Sequence, residues 1–395
     1  MTTLNDTPSA NRLHIGFFGR RNSGKSTLVN ALAGQRITIV SDVAGTTTDP
    51  VFKAMELSGL GAVELIDTAG FDDGGELGRL RVEKTVLAAE KTDIAVLLFS
   101  GEDTDEDLRW YRRFAAKKTP VVPVVANARG DRAALIARLR ELIGTEPLVI
   151  EKDDPNACEK LRRELVRLLP EGFEQPSITG TLVRPGDTVL LVMPQDASAP
   201  KGRLILPQVQ TIRDLLDNRA TAVCCTADGM EAALAALASP PSLIITDSQV
   251  FPEVYAKKPE ASRLTSFSIL FAALKGDLDY YLEGVKVVPT LNENSHILIA
   301  ECCTHAPQNE DIGRVKLPRI LRKLAGSGVT IDVRGGTDFP EDLTPYDLVI
   351  QCGACMFNRK YVLSRIDRAK AQGVPMTNYG IFLAYAGGIL DKVSM

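Results

Sequence analysis

The stretch from Gly19 to Ser26, which reads GRRNSGKS, constrains the fold of this chain more than any other. It lies between an apolar run at 13–18 and an amphipathic run at 27–33, so the order is strand, glycine-rich loop, helix. Glycines let the backbone bend so that its N–H groups converge on an anion at the positive end of the helix. Lys25 is then placed to reach the β- and γ-phosphates of a nucleotide, and Ser26 to bind Mg²⁺. The pattern predicts a phosphate-binding loop; the alternative is a chance match in a glycine-rich turn.

Two segments downstream support the phosphate-loop interpretation. The apolar run 63–67 ends in a D-x-x-G pattern, in which Asp67 holds Mg²⁺ through water and the Gly70 amide senses the γ-phosphate. Thr46 and Thr47 lie between the two elements, where a switch loop supplies a threonine to Mg²⁺. Phosphate and metal elements in this order predict a nucleotide-binding switch domain of the GTPase type. The predicted catalytic residues are Lys25, Thr47, Asp67 and Gly70.

Details of this region shape the predicted chemistry. Phe71 stands where many GTPases place a water-orienting glutamine, so we expect slow or assisted hydrolysis. Asn22 offers an amide oxygen to a monovalent cation beside the phosphates; the alternative is a surface turn asparagine. The segment from Asn127 to Asp131 lacks the lysine of the N-K-x-D pattern and displaces its aspartate, which weakens the expectation of guanine specificity. The residues predicted to bind GTP, Mg²⁺ and K⁺ are Asn22, Ser23, Gly24, Lys25, Ser26, Thr27, Thr46, Thr47, Asp67, Gly70, Asn127 and Asp131.

The composition argues against several classes of protein. With 45% hydrophobic and 24% charged residues among 395, the chain has the make-up of an ordinary globular protein. A net charge of −4 argues against a nucleic-acid partner, which usually requires a basic excess. No apolar run approaches the roughly 18 residues of a membrane helix, and segment 1–12 lacks the apolar core of a signal peptide. We therefore expect a cytoplasmic protein with no nucleic-acid and no membrane partner.

The chain changes its pattern twice. Apolar and amphipathic runs alternate from 12 to 168, which predicts an α/β sheet with its ligand at the carboxyl ends of the strands. Segment 170–176 has the proline and glycine content of a linker. Region 177–265 offers packing elements but no catalytic constellation, so we expect it to serve scaffolding or self-association. A third region begins at about 266.

Cysteines follow two predicted strands of the third region. One strand leads into Cys303 and His305, and the other into the C-x-x-C pair of Cys352 and Cys355. Loops at the same ends of neighbouring parallel strands bring such residues together. In a reducing cytoplasm, clustered cysteines suggest metal binding rather than disulfides. An iron–sulfur cluster, structural zinc and a redox dithiol all fit this spacing.

A phosphate-loop domain with C-T-H at 303–305 and C-x-x-C at 352–355 resembles the HydF family, the GTPase maturases of FeFe hydrogenases. The resemblance extends to segments 7–19, 266–277 and 311–318, and therefore covers nearly the whole chain. It implies an α/β architecture of three domains. These are a P-loop GTPase domain at 1–170, a dimerisation domain at 177–265 and an α/β iron–sulfur cluster-binding domain at 266–395.

The resemblance also implies cofactors and partners. The cofactors are GTP, Mg²⁺, K⁺, a 4Fe–4S cluster and a di-iron subcluster precursor. The partners are the radical-SAM maturases HydE and HydG, the apoprotein of the FeFe hydrogenase, and a second copy of the chain in a homodimer. The implied cluster ligands are Cys303, Cys352 and Cys355, with His305 or Glu310 as candidates for the fourth position.

One departure from the family bears on that fourth position. Many members carry histidine directly before the C-x-x-C pair, whereas this chain carries Gln351, a poor iron ligand. We interpret the chain as a GTP-hydrolysing scaffold and carrier that holds the cluster and passes the di-iron precursor to the apo hydrogenase. One alternative is a ribosome- or tRNA-associated switch GTPase with a zinc-stabilised C-terminal domain; another is a structural scaffold whose GTPase is vestigial. The lack of a basic, aromatic-interleaved patch counts against the ribosomal or tRNA alternative.

Overall fold

Strand β1, Leu13–Gly19, lies inside the first sheet, and all seven of its residues are buried. Burial on both faces is expected when helices cover both sides of a parallel sheet. Ile15 and Phe17 pack into one hydrophobic cluster and Phe18 into another, so the two faces have separate cores. The pattern that placed a buried strand before the glycine-rich loop is therefore confirmed.

The computed structural model describes residues 7–34, 50–72, 75–101, 103–126, 130–151, 154–169, 177–195, 204–302 and 312–395. The chain divides into two compact units, Met1–Gln175 and Pro176–Met395. Among the described residues, no helix combines the length and the apolar character that crossing a membrane requires.

The first unit is a six-stranded sheet with helices between its strands. After β1 its elements are α1 (Lys25–Ala33), β2 (Val51–Leu57), β3 (Gly61–Asp67), α2 (Gly75–Lys91), β4 (Ile94–Phe99), α3 (Asp105–Ala116), β5 (Val121–Ala126), α4 (Arg132–Ile143), β6 (Leu148–Ile150) and α5 (Ala157–Arg167). The strand order is β2-β3-β1-β4-β5-β6, and only the pairing of β2 with β3 is antiparallel. The carboxyl ends of β1 and β3 are neighbours, which brings the glycine-rich loop and the D-x-x-G segment to one edge.

The second unit contains two four-stranded parallel sheets. The first comprises β7 (Thr188–Val192), α6 (Leu206–Asp217), β8 (Thr221–Cys225), α7 (Met230–Ala235), β9 (Leu243–Thr246), α8 (Phe251–Lys257), β10 (Arg263–Ser266) and α9 (Phe267–Lys275). The second comprises α10 (Leu278–Val285), β11 (His296–Ala300), α11 (Leu317–Ala325), β12 (Thr330–Arg334), β13 (Leu348–Gln351), α12 (Arg359–Ala371), β14 (Met376–Asn378) and α13 (Tyr379–Ala386). Their strand orders are β10-β9-β7-β8 and β12-β11-β13-β14.

The two sheets of the second unit share one hydrophobic core. Leu190 and Ile244 from the first sheet and Ile297 and Val349 from the second belong to the same cluster of buried residues. Helix α9 contributes to this join, because its Ser268 hydroxyl lies 3.0 Å from the Oδ1 atom of Asn378. The predicted boundary between residues 265 and 266 stays a prediction, since both sheets lie in one compact unit.

The predicted α/β class is confirmed, including a glycine-rich loop between β1 and α1. Sequence patterns missed β10, β12, β14, α8 and α10. The three residues of β14 are too few for a periodic signal, whereas β12 reads TIDVR, a polar–apolar alternation that the sequence interpretation overlooked. Strands β11 and β13 are adjacent, with Ala300 opposite Gln351. Their carboxyl ends therefore place the two cysteine-bearing loops side by side.

Candidate functional site

The loop after β1 is shaped by two glycines. Gly19 has a φ of 149°, and a Cβ atom there would lie 2.8 Å from the carbonyl oxygen of Leu98. Gly24 caps the N-terminus of α1 in the left-handed region, with a φ of 99°. Positive φ costs glycine almost nothing, so this sequence follows a path that other residues resist. The path sets the loop amides at the positive end of α1.

Lys25 is held over this loop by the backbone itself. Its side chain is buried, and its ammonium group donates to the carbonyl oxygens of Gly19 and Arg20 at 2.9 and 2.7 Å. The charge is therefore fixed close to the loop amides. A nucleotide phosphate that binds the loop meets a positioned cation rather than a mobile one.

The predicted magnesium residues are in contact. The Ser26 hydroxyl donates to the Oδ2 atom of Asp67 at 2.6 Å, and Asp67 is fully buried at the end of β3. The nearby Ser23 hydroxyl is also buried, and among the described residues it has no hydrogen-bond partner. A hydroxyl and a carboxylate are oxygen donors of the kind that Mg²⁺ prefers beside nucleotide phosphates. The donor set therefore fits Mg²⁺.

The D-x-x-G segment lies against the phosphate loop. The Thr68 hydroxyl donates to the carbonyl oxygen of Phe17 at 2.6 Å, and the Arg21 amide donates to Asp72 at 2.8 Å. A Cβ atom on Gly70 would lie 2.7 Å from the backbone nitrogen of Arg21, so only glycine fits this approach. A movement of this segment is thereby coupled directly to the loop.

Phe71 occupies the position expected for a water-orienting glutamine. Its ring is buried and stacks on Trp110, with centroids 5.4 Å apart and planes 17° from parallel. The side chain is a core residue of the sheet–α3 layer and has no polar group. It therefore supplies nothing that orients an attacking water, which supports the expectation of slow or assisted hydrolysis.

Sequence reasoning missed a clamp on the phosphate loop. The Arg20 guanidinium contacts Asp107 and Asp103 of the α3 region, each at 3.1 Å. Burial raises the pKa of Asp107 to about 6, although the charge of Arg20 partly opposes this rise. Asp103 and Asp107 stand four residues apart, the spacing of neighbouring side chains on a helix. This pattern was the signal in the sequence that could have indicated the clamp. The clamp ties the loop to α3.

The other predicted nucleotide contacts are dispersed. Asn22 is exposed at the loop tip with a φ of 58°, and Thr27 is exposed on the first turn of α1. Asp131 caps α4, because its Oδ1 atom accepts from the amides of Ala133 and Ala134 at 2.9 and 3.1 Å. Three further predicted residues, Thr46, Thr47 and Asn127, lie outside the described residues.

A second site lies where β11 and β13 end. The amide N–H groups of Cys302 and Ala354 point to the Cys352 sulfur, at 3.1 and 3.4 Å. Ala354 has a φ of 50°, a strained conformation that turns the loop over this sulfur. A hydrogen bond with Cys302 and burial together hold the pKa of the Cys352 thiol well above its usual range. Amide donors directed at one sulfur are the arrangement that tunes thiolate ligands of iron–sulfur clusters.

Lys275 lies beneath this cysteine loop. Its ammonium group donates to the carbonyl oxygens of Phe357, Ala354 and Cys355 at 2.8, 3.3 and 3.4 Å. Burial lowers the pKa of Lys275 to about 8, while the nearby thiols Cys355, Cys302 and Cys352 oppose this change. Lys275 therefore holds the backbone of this loop through three of its carbonyl oxygens.

Gln351 is turned away from a ligand role. It is buried, and its amide nitrogen donates to the Tyr281 hydroxyl at 3.3 Å. Its Oε1 atom has no hydrogen-bond partner among the described residues. The side chain is thus engaged with α10, in keeping with its classification as a poor iron ligand.

The predicted ligand set is described only in part. Cys352 and Cys355 share the loop after β13, whereas Cys303, His305 and Glu310 lie outside the described residues. Within the described residues, no three His, Cys, Asp or Glu side chains form a metal-binding group. The structure places the buried Cys302 beside Cys352, a contact that the sequence interpretation did not include. The Cys352 thiol, at which two amide donors are directed, fits a thiolate ligand of a cluster or of zinc.

Three family models match successive parts of the chain. Residues 14–127 match a model described as 50S ribosome-binding GTPase. Residues 178–276 match the hydrogen maturase F dimerization domain, and residues 279–394 match the hydrogen maturase F tetramerization domain.

Curated relatives match part of the chain. The tRNA modification GTPase MnmE of Laribacter hongkongensis is 42% identical over 92 residues, which is 23% of this chain and 20% of the relative. The GTPase Der of Wolinella succinogenes is 42% identical over 98 residues, or 24% of this chain and 20% of the relative. The chain thus spans about one fifth of the length of these relatives.

A solved structure of an Era variant from Aquifex aeolicus bound to GDP·AlF4⁻ aligns with this chain. The alignment covers 54% of this chain and 92% of the Era chain. The sequence identity is 19% and the TM-score is 0.33.

Proposed function

The chain belongs to the hydrogen maturase F family, and we propose that it is a GTP-hydrolysing factor for maturation of the FeFe-hydrogenase cluster. In this proposal it holds a 4Fe–4S cluster and carries a di-iron precursor to the apo hydrogenase. The observation that carries the proposal is the pairing of two sites in one chain. One is the phosphate loop with Lys25, Ser26 and Asp67; the other is the amide-lined Cys352 sulfur at the end of β13.

The nucleotide half of the proposal rests on the positioned Lys25 and the Ser26–Asp67 contact. These groups bind phosphate and Mg²⁺ irrespective of the base, so the choice of GTP depends on the region around Asp131. Asp131 caps α4 through one carboxylate oxygen, and GTP recognition uses this residue if it turns toward the base. We expect GTP to bind more tightly than ATP; equal affinities would show that Asp131 does not read the base.

The cluster half of the proposal assigns Cys303, Cys352 and Cys355 as thiolate ligands. A 4Fe–4S cluster held by these three thiolates would leave its fourth iron for a ligand other than cysteine. Candidates for that position are His305 and Glu310. The engagement of Gln351 with Tyr281 supports a fourth position not taken by the residue before the C-x-x-C pair. Such a position suits a protein that accepts and releases a metal fragment.

Anaerobic reconstitution followed by iron and sulfide analysis tests the cluster. The wild type should bind about four irons and show a 4Fe–4S EPR signal after reduction, because thiolates and iron–sulfide sites are mutually preferred. Cys352→Ala and Cys355→Ala should lose most of the iron, while Cys224→Ala, on the edge strand β8, serves as the matched control. Tight zinc binding without an EPR signal, and no activation of apo hydrogenase with HydE and HydG present, would contradict the proposal.

A ribosome- or tRNA-associated GTPase is the second candidate. It is favoured by the description of the model matched at 14–127 and by the likeness to MnmE. It leaves the matches over 178–276 and 279–394 without an explanation. Co-sedimentation with 50S subunits in the presence of a GTP analogue tests it directly, and binding there would support this candidate.

A further inference from the structure

Two buried cations lie under the cysteine loop 352–357. Lys275 is 3% exposed and Arg365 is 2% exposed. Across the part of the chain that the structure describes, neither contacts a carboxylate; their polar contacts are all with backbone carbonyl oxygens. A buried charge that lacks a countercharge is costly, and such groups are normally paired. We therefore expect a negatively charged partner for Lys275 and Arg365.

Both cations reach the loop through Phe357. Lys275 donates to its carbonyl oxygen at 2.8 Å, and the Arg365 guanidinium lies 4.6 Å from its ring centroid. Arg365 also lies over the rings of Phe339 and Tyr361, at 4.6 and 5.0 Å. Its Nε and Nη1 atoms are buried without a hydrogen-bond partner among the described residues. Cation–π contacts offset part of the burial cost but do not neutralise the charge.

Among the described residues, three cysteine thiols can place negative charge close to Lys275. Cys355, Cys302 and Cys352 all interact electrostatically with Lys275, and both Cys352 and Arg365 act on the buried Tyr281 hydroxyl. A thiolate ligand carries a negative charge that a thiol lacks, so loading a metal cluster creates an anion at this place.

We propose that Lys275 and Arg365 are positioning residues that supply the countercharge of an anionic iron–sulfur cluster on Cys352 and Cys355. The inference rests on the proposed cluster function. Lys275 fixes the backbone of the loop that carries the ligands, and both charges stabilise added negative charge on the cluster. Because one-electron reduction adds such a charge, the pair favours the reduced form and raises the reduction potential.

The test is an EPR-monitored redox titration of the anaerobically reconstituted full chain with dithionite. The variants are Lys275→Met and Arg365→Met, the charge-retaining Lys275→Arg and Arg365→Lys, and the control Lys370→Met. Lys370 lies on the same helix as Arg365 but is 42% exposed and paired with Asp277. Each Met variant should shift the ratio of oxidised to reduced cluster about tenfold toward the oxidised form, or about 59 mV for one electron. The charge-retaining variants and the control should stay near the wild type.

The outcomes separate the two levels of the proposal. If the wild type binds no cluster, the proposed function fails and this inference fails with it. If the cluster binds and the Met variants keep the wild-type potential, only this inference is overturned. If one of the two Met variants does not fold, as judged by circular dichroism, the other Met variant tests the inference alone. If neither Met variant folds while both charge-retaining variants do, the charges serve the fold rather than the cluster, and the inference is again overturned.

Discussion

Single side chains of the nucleotide site owe their positions to neighbouring backbone groups. The Lys25 ammonium lies between two carbonyl oxygens of its own loop, and the Ser26 hydroxyl is fixed by Asp67. Groups fixed in this way lose little conformational freedom when phosphate and Mg²⁺ bind. Affinity for a nucleotide therefore depends on a few residues whose replacement should have large effects.

Lys25→Ala should abolish nucleotide binding. The variant loses charge-assisted hydrogen bonds to the phosphates, each worth roughly 1.5–3 kcal/mol, so affinity should fall about 100-fold or more. Titration with a fluorescent GDP analogue measures the loss. Lys160→Ala, an exposed lysine paired with Asp154 on the same unit, should bind like the wild type. Near-normal GTPase activity of Lys25→Ala would remove the phosphate-loop assignment.

Asn22 should make hydrolysis sensitive to the monovalent cation. Its side chain is exposed at the loop tip, where an amide oxygen and nucleotide phosphates together suit K⁺. Turnover of GTP should rise several-fold when Na⁺ is replaced by K⁺, because Phe71 contributes no water-orienting group. Asn22→Ala should erase the difference between the salts. Equal wild-type rates in Na⁺ and K⁺ would refute the cation site.

At the scale of elements, strands β1, β3 and β4 are joined by a buried charge network. His14 on β1 lies 2.9 Å from Glu64 on β3 and 3.6 Å from Asp93, the residue before β4. Burial opposes the imidazolium, but hydrogen bonds and charges from Asp93 and Glu64 outweigh it and raise the pKa of His14 to about 9. The protonated histidine thus fastens the strands that carry the phosphate loop and the D-x-x-G segment.

The stability of the first unit should fall between pH 6.5 and 9. A histidine with an ordinary pKa near 6.5 when unfolded and about 9 when folded stabilises the fold fully below pH 6.5. That contribution, at most about 3 kcal/mol, is lost as the pH rises through 9. Urea unfolding followed by the fluorescence of the single tryptophan, Trp110, reports this unit. His14→Gln should flatten the dependence, whereas His296→Gln, in the other unit, should leave it unchanged.

At the scale of the whole molecule, nucleotide and cysteine chemistry occupy different compact units. The phosphate loop belongs to Met1–Gln175 and the cysteine loop to Pro176–Met395. The second unit also matches models for dimerization and tetramerization, so the self-association that we predict and the cysteine site belong to the same unit. Loss of the nucleotide site should therefore leave both properties in place.

The full chain should form a homodimer or a larger even-numbered oligomer in solution. Light scattering at micromolar concentration should give at least twice the chain mass of 42.8 kDa. Lys25→Ala should show the same mass and, after reconstitution, the same iron content as the wild type. A monomeric wild type would contradict the assembly prediction. Loss of iron in Lys25→Ala would show instead that the units are coupled.

The sequence by itself determined the local elements of the first unit and the nucleotide chemistry. The order of strand, GRRNSGKS loop and helix requires particular backbone angles at Gly19 and Gly24, and those requirements are local. The D-x-x-G segment could also be recognised from the sequence, because it follows a mostly apolar strand. The sequence also showed that Phe71 replaces the water-orienting glutamine of many GTPases. It did not show that the Phe71 ring stacks on Trp110.

Tertiary structure decided which distant residues meet. Lys275 under the cysteine loop and His14 between Glu64 and Asp93 join residues that no spacing rule connects. The structure adds a contact of Cys302 with Cys352 that the sequence interpretation did not include, and the predicted ligand Cys303, outside the described residues, stays a prediction. Side-chain direction after a strand end depends on the path of the loop, and periodicity stops where the strand stops. Charge burial likewise exists only once the core around it has formed.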